Sequence, residues 1–212
     1  MATRANIIVE TAPARFEVIY THSDGYPSYM GVYLDRFHNT EKAAKKIVDL
    51  GDMSFLEARL EPAPGEGHGF DIDKRAAFCS VFYKRDREPK ELSHCAAFYP
   101  SLKEALDDCD HYAVYVWLKG SGWHFSLVDP YPVKPFHLKP LTDFVREDAD
   151  CQKHIAYLDN EGQTVEWRDA GCPAERVQKN GHTRFEVRPI GWVQPLTPQQ
   201  VMAQRYFDEA VF

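Results

Sequence analysis

The chain has 212 residues, 44% hydrophobic and 13% aromatic, which is enough apolar material for a buried core and excludes a disordered chain. The formal net charge is −7, and acidic side chains outnumber basic ones in each of the stretches 1–75, 76–130 and 131–212. No basic segment offers an electrostatic footprint for duplex DNA or RNA, so nucleic acid is not expected as a partner and a basic or neutral protein suits the charge better.

The first residues, MATRANIIVE, hold only a short apolar run, and no 18-residue apolar stretch occurs. A soluble, cytoplasmic protein without membrane contact is expected. The five cysteines (Cys79, Cys95, Cys109, Cys151 and Cys172) lack a Cys-x-x-Cys pair, so reduced thiols are expected rather than disulfides or a zinc ribbon.

In chain order, Ala5–Glu10 and Phe16–Tyr20 are β-prone runs around a turn at Ala12–Ala14, which predicts an opening hairpin. Pro27 suits the first position of a helix. Asp24 is then expected beside the helix's N-terminal amides, and Gly25 at the bend between strand and helix. Tyr26, Tyr29, Tyr33 and Phe37 recur every three or four residues and form an apolar helical face. A second helix runs from Thr40, its N-cap, to Leu50, with Gly51 as stop signal.

Residues 61–75 read as a long loop. Ala77–Tyr83 follows as a strand, and Ser101–Cys109 as a helix with a capping box formed by Ser101 and Glu104. Tyr112–Leu118 and Trp123–Val128 are strands joined through Lys119–Gly122. These alternations predict an α+β fold, a largely antiparallel sheet with helices packed on it.

Four prolines between Asp129 and Pro140 mark a change of composition. Beyond them the pattern predicts a helix over Leu141–Asp150, strands at His154–Leu158, Thr164–Trp167 and Phe185–Ile190, and a final helix from Pro198 to Phe212. Residues 1–130 are read as the main domain and 136–212 as a smaller C-terminal α/β appendage.

His22 and Asp24 stand two apart at a strand end, which in extended chain puts both on one side, as an acid/base pair or metal ligands would need. Asp35 and His38 could add ligands. The structural alternative has Asp24 capping the turn and His22 bonded to a neighbouring element. His68, Asp71 and Asp73 lie in the long loop without the spacing of a calcium loop, and Gly65, Gly67 and Gly69 lack the Lys-Ser/Thr of a phosphate loop. Arg85 and Arg87 flank Asp86 and could clamp a phosphate or carboxylate, or form a self-neutralised turn. His94 beside Cys95, and Cys109 near His111, support no cysteine nucleophile by adjacency alone, and Gly-x-Ser-x-Gly is absent.

Ile19–Pro27 with its His-x-Asp-Gly-Tyr block, Leu50–Ser54 with Leu-Gly-Asp-x-Ser, and Tyr83–Arg87 with Arg-Asp-Arg resemble, in the same order, a family of uncharacterised accessory proteins of bacteriophages, prophages and plasmids. The resemblance covers about residues 1–125. It implies a mobile element in a bacterial host, and no activity, cofactor or catalytic residue.

The expectation is therefore a non-enzymatic accessory protein that binds a host protein or other macromolecule, in the service of blunting a defence system. Its binding residues would come from His22, Asp24, Tyr26, Tyr29, Arg85 and Arg87. The alternative is a pocket around His22, Asp24, Arg85 and Arg87 for a phosphate-containing ligand or a hydrolytic metal. A weaker third reading, a DNA mimic, needs acids gathered on one surface.

Overall fold

A computed structural model describes residues 3–87, 94–128 and 136–160, and the backbone of two further strands at 174–179 and 182–187. β1 (Ala5–Ala12) and β2 (Arg15–Thr21) form the expected hairpin, with Ala14 in the left-handed region at φ 54°. Pro27–Gly31 then winds as a π-helical turn rather than an α-helix, and continues directly into α1 (Val32–Phe37). The helix α2 (Glu41–Leu50) starts where its cap predicts: the Thr40 Oγ1 accepts the Ala43 N–H at 3.2 Å.

β3 (Met53–Phe55) follows, then a loop with one 3-10 turn at Ile72–Lys74, and β4 (Val81–Phe82). The strand expected over Ala77–Tyr83 shrinks to these two residues. Phe78 has φ 54°, which breaks the extended chain just before it. After a second π-helical turn at Tyr83–Arg87 come β5 (Ala97–Tyr99), α3 (Leu102–Asp107), β6 (Ala113–Leu118), β7 (Gly122–Leu127) and β8 (Lys139–Pro140). The predicted cap of α3 forms, the Ser101 Oγ accepting the Glu104 N–H at 3.2 Å.

The strands build one open mixed sheet in the order β4-β3-β2-β1-β6-β7-β8, with β5 beside β2. β1–β6 and β2–β3 are parallel and the other pairs antiparallel, so the α+β architecture is as expected. Alternation along the central strands serves two cores. Ala5, Ile7 and Val9 of β1, with Ala113, Tyr115 and Trp117 of β6, face the larger one beneath the helices. Ile8, Val114 and Val116 face a smaller one closed by Ala105 and Cys109 at α3. Each fully buried isoleucine, such as Ile7, Ile19 or Ile47, contributes about 2 kcal/mol of transfer free energy.

The packing does not stop at residue 130. Leu141 and Val145 of α4 (Leu141–Glu147), with Cys151 and Leu158 of α5 (Ala149–Asn160), are buried in the larger core, and β8 pairs with β7. Residues 136–160 thus continue the main unit. The strand expected at His154–Leu158 is helical. Asp148 caps α5 by accepting the Ala149-following amides of Asp150 (3.1 Å) and Cys151 (2.9 Å), and Cys151, Ile155 and Leu158 recur at helical spacing. Two strands beyond it, β9 (Ala174–Lys179) and β10 (His182–Val187), pair antiparallel. The second overlaps the strand expected at Phe185–Ile190, while the expected Thr164–Trp167 strand and Pro198–Phe212 helix lie outside the described residues. Among the described residues no helix is long and apolar enough to cross a membrane.

Candidate functional site

The three sequence blocks occupy adjacent strands. Thr21 pairs with Met53, and Met53 with Phe82. Past the paired residues the His22 N–H donates to the Met53 carbonyl (3.1 Å), the Ser23 N–H to the Ser54 carbonyl (2.8 Å) and the Tyr83 N–H to the Asp52 carbonyl (3.0 Å). The blocks therefore meet at the end of β2.

Leu-Gly-Asp-x-Ser has a clear local reason. Gly51 takes φ 85° and lies so close to the His94 carbonyl oxygen that a Cβ there would overlap it. That approach lets the Asp52 N–H donate to the same carbonyl at 2.9 Å. The Asp52 carboxylate accepts the Tyr20 N–H at 2.8 Å and lies 3.5 Å from His94 Nδ1. Burial raises its pKa, and these two hydrogen bonds oppose the rise.

Arg-Asp-Arg divides into two roles. Asp86 is buried and accepts from the Phe82 N–H (2.8 Å), from His68 Nε2 (3.3 Å) and from Arg85 through Nε (2.6 Å) and Nη2 (2.7 Å). Burial works against its charge, but the hydrogen bonds from His68, Arg85 and Phe82 prevail and lower its pKa. Arg85 also donates to the carbonyls of Leu60 and Ser80, both at 2.7 Å. Its guanidinium is thus engaged within the protein.

His68, in the long loop read over 61–75, has a side chain only 3% exposed. Burial opposes its charge, while the contacts to Asp86 and Cys79 pull its pKa up, to about 9. Against that pull, the Ala76 N–H lies 3.0 Å from Nδ1 and can donate only to an unprotonated nitrogen. The fixed amide decides the tautomer, and we assign a neutral ring with its proton on Nε2 toward Asp86. Asp71, by contrast, is a surface carboxylate paired with Lys74.

Arg87 is exposed and lies over two rings, 5.1 Å from the centroid of Phe70 and 5.7 Å from that of Tyr83. Phe70 and Tyr83 are 6.0 Å apart, and Tyr83 is 5.1 Å from the His94 ring. The result is a platform of one guanidinium over two tilted aromatic rings, with an imidazole beside them. Beside it, His22 Nδ1 lies 2.8 Å from the Tyr20 hydroxyl, and the Tyr20 ring packs 5.0 Å from His111.

Asp24 does not cap the turn that follows. The N-cap is Tyr26, which makes no side-chain cap bond, and Asp24 itself takes the left-handed conformation at φ 57°. The left-handed residue between strand and turn is therefore Asp24, not Gly25. Glycine is needed at 25 for closeness: a Cβ would stand 2.7 Å from the Ala5 Cβ and 2.9 Å from the Thr3 carbonyl oxygen. Asp24 is partly buried, and desolvation raises its pKa.

Tyr29 is largely buried instead of forming an exposed patch. Its hydroxyl donates to Glu57 Oε1 at 2.9 Å, and the Tyr33 hydroxyl bonds the same carboxylate. Burial, then the Glu57 charge, push both phenols upward. His154 packs 5.2 Å from Tyr29 and 5.8 Å from Tyr33, with its buried Nε2 lacking a hydrogen-bond partner among the described residues. His38 and Asp35 are used elsewhere, His38 Nε2 lying 2.7 Å from the Glu57 carbonyl and Asp35 accepting from Thr142 at 2.6 Å.

The structure thus places His22, Asp24, Tyr26 and Tyr29 along one turn and Arg87 on the neighbouring platform, while Arg85 belongs to the Asp86 knot. Sequence reasoning missed Asp52, Phe70, Tyr83 and His94 as neighbours of this surface, although Asp52 and Tyr83 lie within or beside the Leu-Gly-Asp-x-Ser and Arg-Asp-Arg blocks. Glu57 gave no signal. Among the described residues no group of three or more His, Cys, Asp or Glu side chains could hold a metal ion. The charged depression lined by Glu41, Lys42, Lys45, Lys46, Asp49 and Glu61 shares no residue with these clusters, and it carries the Lys45–Asp49 and Lys46–Glu61 ion pairs.

The fold is thus an α+β protein with an open mixed sheet, and the candidate residues lie in the segments that follow β2 and β4. No protein family, curated protein or solved structure matches the chain.

Proposed function

We propose that the chain is a non-enzymatic accessory protein of a phage or other mobile element that binds a host protein in the bacterial cytoplasm and thereby inhibits a defence system. The observation that carries the binding is Arg87, an exposed guanidinium laid over Phe70 and Tyr83. Arginine and tyrosine are favoured at the energetic centres of interfaces, because a backed guanidinium loses little conformational freedom on docking. The phage context comes from the resemblance of residues 1–125, and the host partner follows from that context.

A phosphate pocket built on Arg85 is less well supported. A ligand there would have to displace Asp86 and the carbonyls of Leu60 and Ser80 from the guanidinium.

The test is capture of host-lysate proteins on the tagged full chain, alongside the R87A variant. A stoichiometric host protein retained by the wild type and reduced at least about tenfold by R87A, with thermal stability unchanged within about 0.5 kcal/mol, is the expected result. A partner retained equally by R87A would remove the platform from the interface. Release of a nucleotide on denaturation, with no protein partner, would favour the ligand reading.

A further inference from the structure

The helix α5 packs on the π-helical turn at Pro27–Gly31 and on α1. His154 of α5 lies at that contact, its ring centroid 5.2 Å from that of Tyr29 at 60° and 5.8 Å from that of Tyr33 at 62°. Its Nε2 is buried and has no hydrogen-bond partner among the described residues. A buried polar atom without a partner is costly, and a phenyl ring would occupy the same place without that cost.

The surrounding groups offer a second proton no acceptor. The turn presents Tyr29 and α1 presents Tyr33, and both hydroxyls are committed to Glu57, which reaches the cluster from the loop after β3. Asp35 of α1 accepts from Thr142 of α4. The junction of α4 and α5 carries Asp148, turned onto the amides of Asp150 and Cys151. On α5 itself stand Tyr157, with its ring 5.9 Å from His154, and the exposed Lys153–Asp150 ion pair.

Proton uptake at His154 is therefore coupled to the docking of α5. Burial lowers the pKa of the docked ring from 6.5, whereas an imidazole in released, hydrated chain titrates near that value. The released form binds more protons, so docking weakens as pH falls through 6.5, and the weakening ends below the docked value. What docking buries is defined: Cys151 and Leu158 lie in the larger core, and Cys151 Sγ stands 3.7 Å from the Pro27 carbonyl oxygen.

We propose that His154 makes α5 an acid-sensitive latch, in which protonation of the imidazole releases the helix from the π-helical turn and α1 and uncovers Tyr29, Tyr33 and Cys151 while the sheet stays folded. The latch does not depend on the binding reading above.

The test labels the full chain with a dipyridyl disulfide, which reacts with thiols in acid as well as at neutral pH, and assigns the labelled cysteines by mass spectrometry. Between pH 7.5 and pH 5 the Cys151 rate in wild type should rise at least about fivefold more than in H154F, which fills the site with a ring that takes up no proton. H154Q, polar but without a titration, should match H154F and carries the comparison if the phenyl ring disturbs docking. Cys109, buried in the smaller core, should stay protected throughout. An acid response equal in wild type and H154Q, or none in wild type, overturns the latch. Labelling of Cys109 in step with Cys151 also overturns it, because the whole chain is then unfolding. The wild type alone provides a second check: an NMR titration midpoint of the His154 ring at or above 6.5 removes the coupling.

Discussion

Asp86 and Asp24 stand in two of the three blocks that meet at the end of β2, and their surroundings differ in nearly every respect. Asp86 is enclosed by donors: one backbone amide, one imidazole and the fork of Arg85. Asp24 is half-buried on a left-handed backbone, with no donor among the described residues. The difference separates a carboxylate that holds the fold together from one that the fold tolerates. A sequence places both within short polar blocks beside glycine or arginine, and nothing in those blocks distinguishes them. The distinction comes from the partners each side chain meets.

The largest effect is expected on the Asp86 side. Asp86→Ala leaves Arg85 without its buried counter-charge and the Phe82 amide without its acceptor, and should destabilise the chain by about 3–5 kcal/mol in urea unfolding. A loss under about 1 kcal/mol would show that the knot is dispensable and erase the contrast with Asp24. Next comes Gly51→Ala, which combines a φ of 85° with overlap onto the His94 carbonyl. A loss of about 3 kcal/mol is expected by the same measurement, because neither the backbone angle nor the opposing main chain can yield cheaply. Tyr29→Phe is milder. It removes one of two phenols on Glu57 and should cost about 1 kcal/mol.

Much of the scaffold was legible in the sequence, because local chemistry determined it. The opening hairpin, the Thr40 and Ser101 caps, the stop at Gly51 and the hairpin between β6 and β7 all follow from short-range signals. The strand misread at His154–Leu158 shows how a short apolar alternation competes with a cap. Asp148 and the spacing of Cys151, Ile155 and Leu158 indicated the helix, but only over a longer window. The site was less legible. Arg85 and Arg87 are two residues apart and chemically identical, yet one is tied to carbonyls of Leu60 and Ser80 and the other lies over Phe70, and these long-range neighbours decide their roles. Glu57 was invisible for the same reason, since its phenolic partners lie 28 and 24 residues earlier in the chain.

The smallest effect is the most discriminating, since it has the opposite sign. Asp24 has a pKa raised by desolvation, so its ionisation opposes folding at every pH above its folded value, and that opposition fades as pH falls toward the unfolded value near 3.9. Asp86 has a lowered pKa, so its contribution is present above about pH 3.9 and is lost as pH falls through the folded value. Asp24→Asn should therefore stabilise the chain at neutral pH, by about 0.5–1 kcal/mol, and the gain over wild type should shrink on acidification to pH 4 and below. Asp24→Gly should add relief of the left-handed backbone, partly offset by a more flexible unfolded chain. Unfolding curves at pH 7 and pH 4 for the three proteins measure both terms. A stabilised Asp24→Asn whose advantage does not change with pH would place the strain in the backbone alone. A destabilised one would mean that Asp24 holds the fold as Asp86 does.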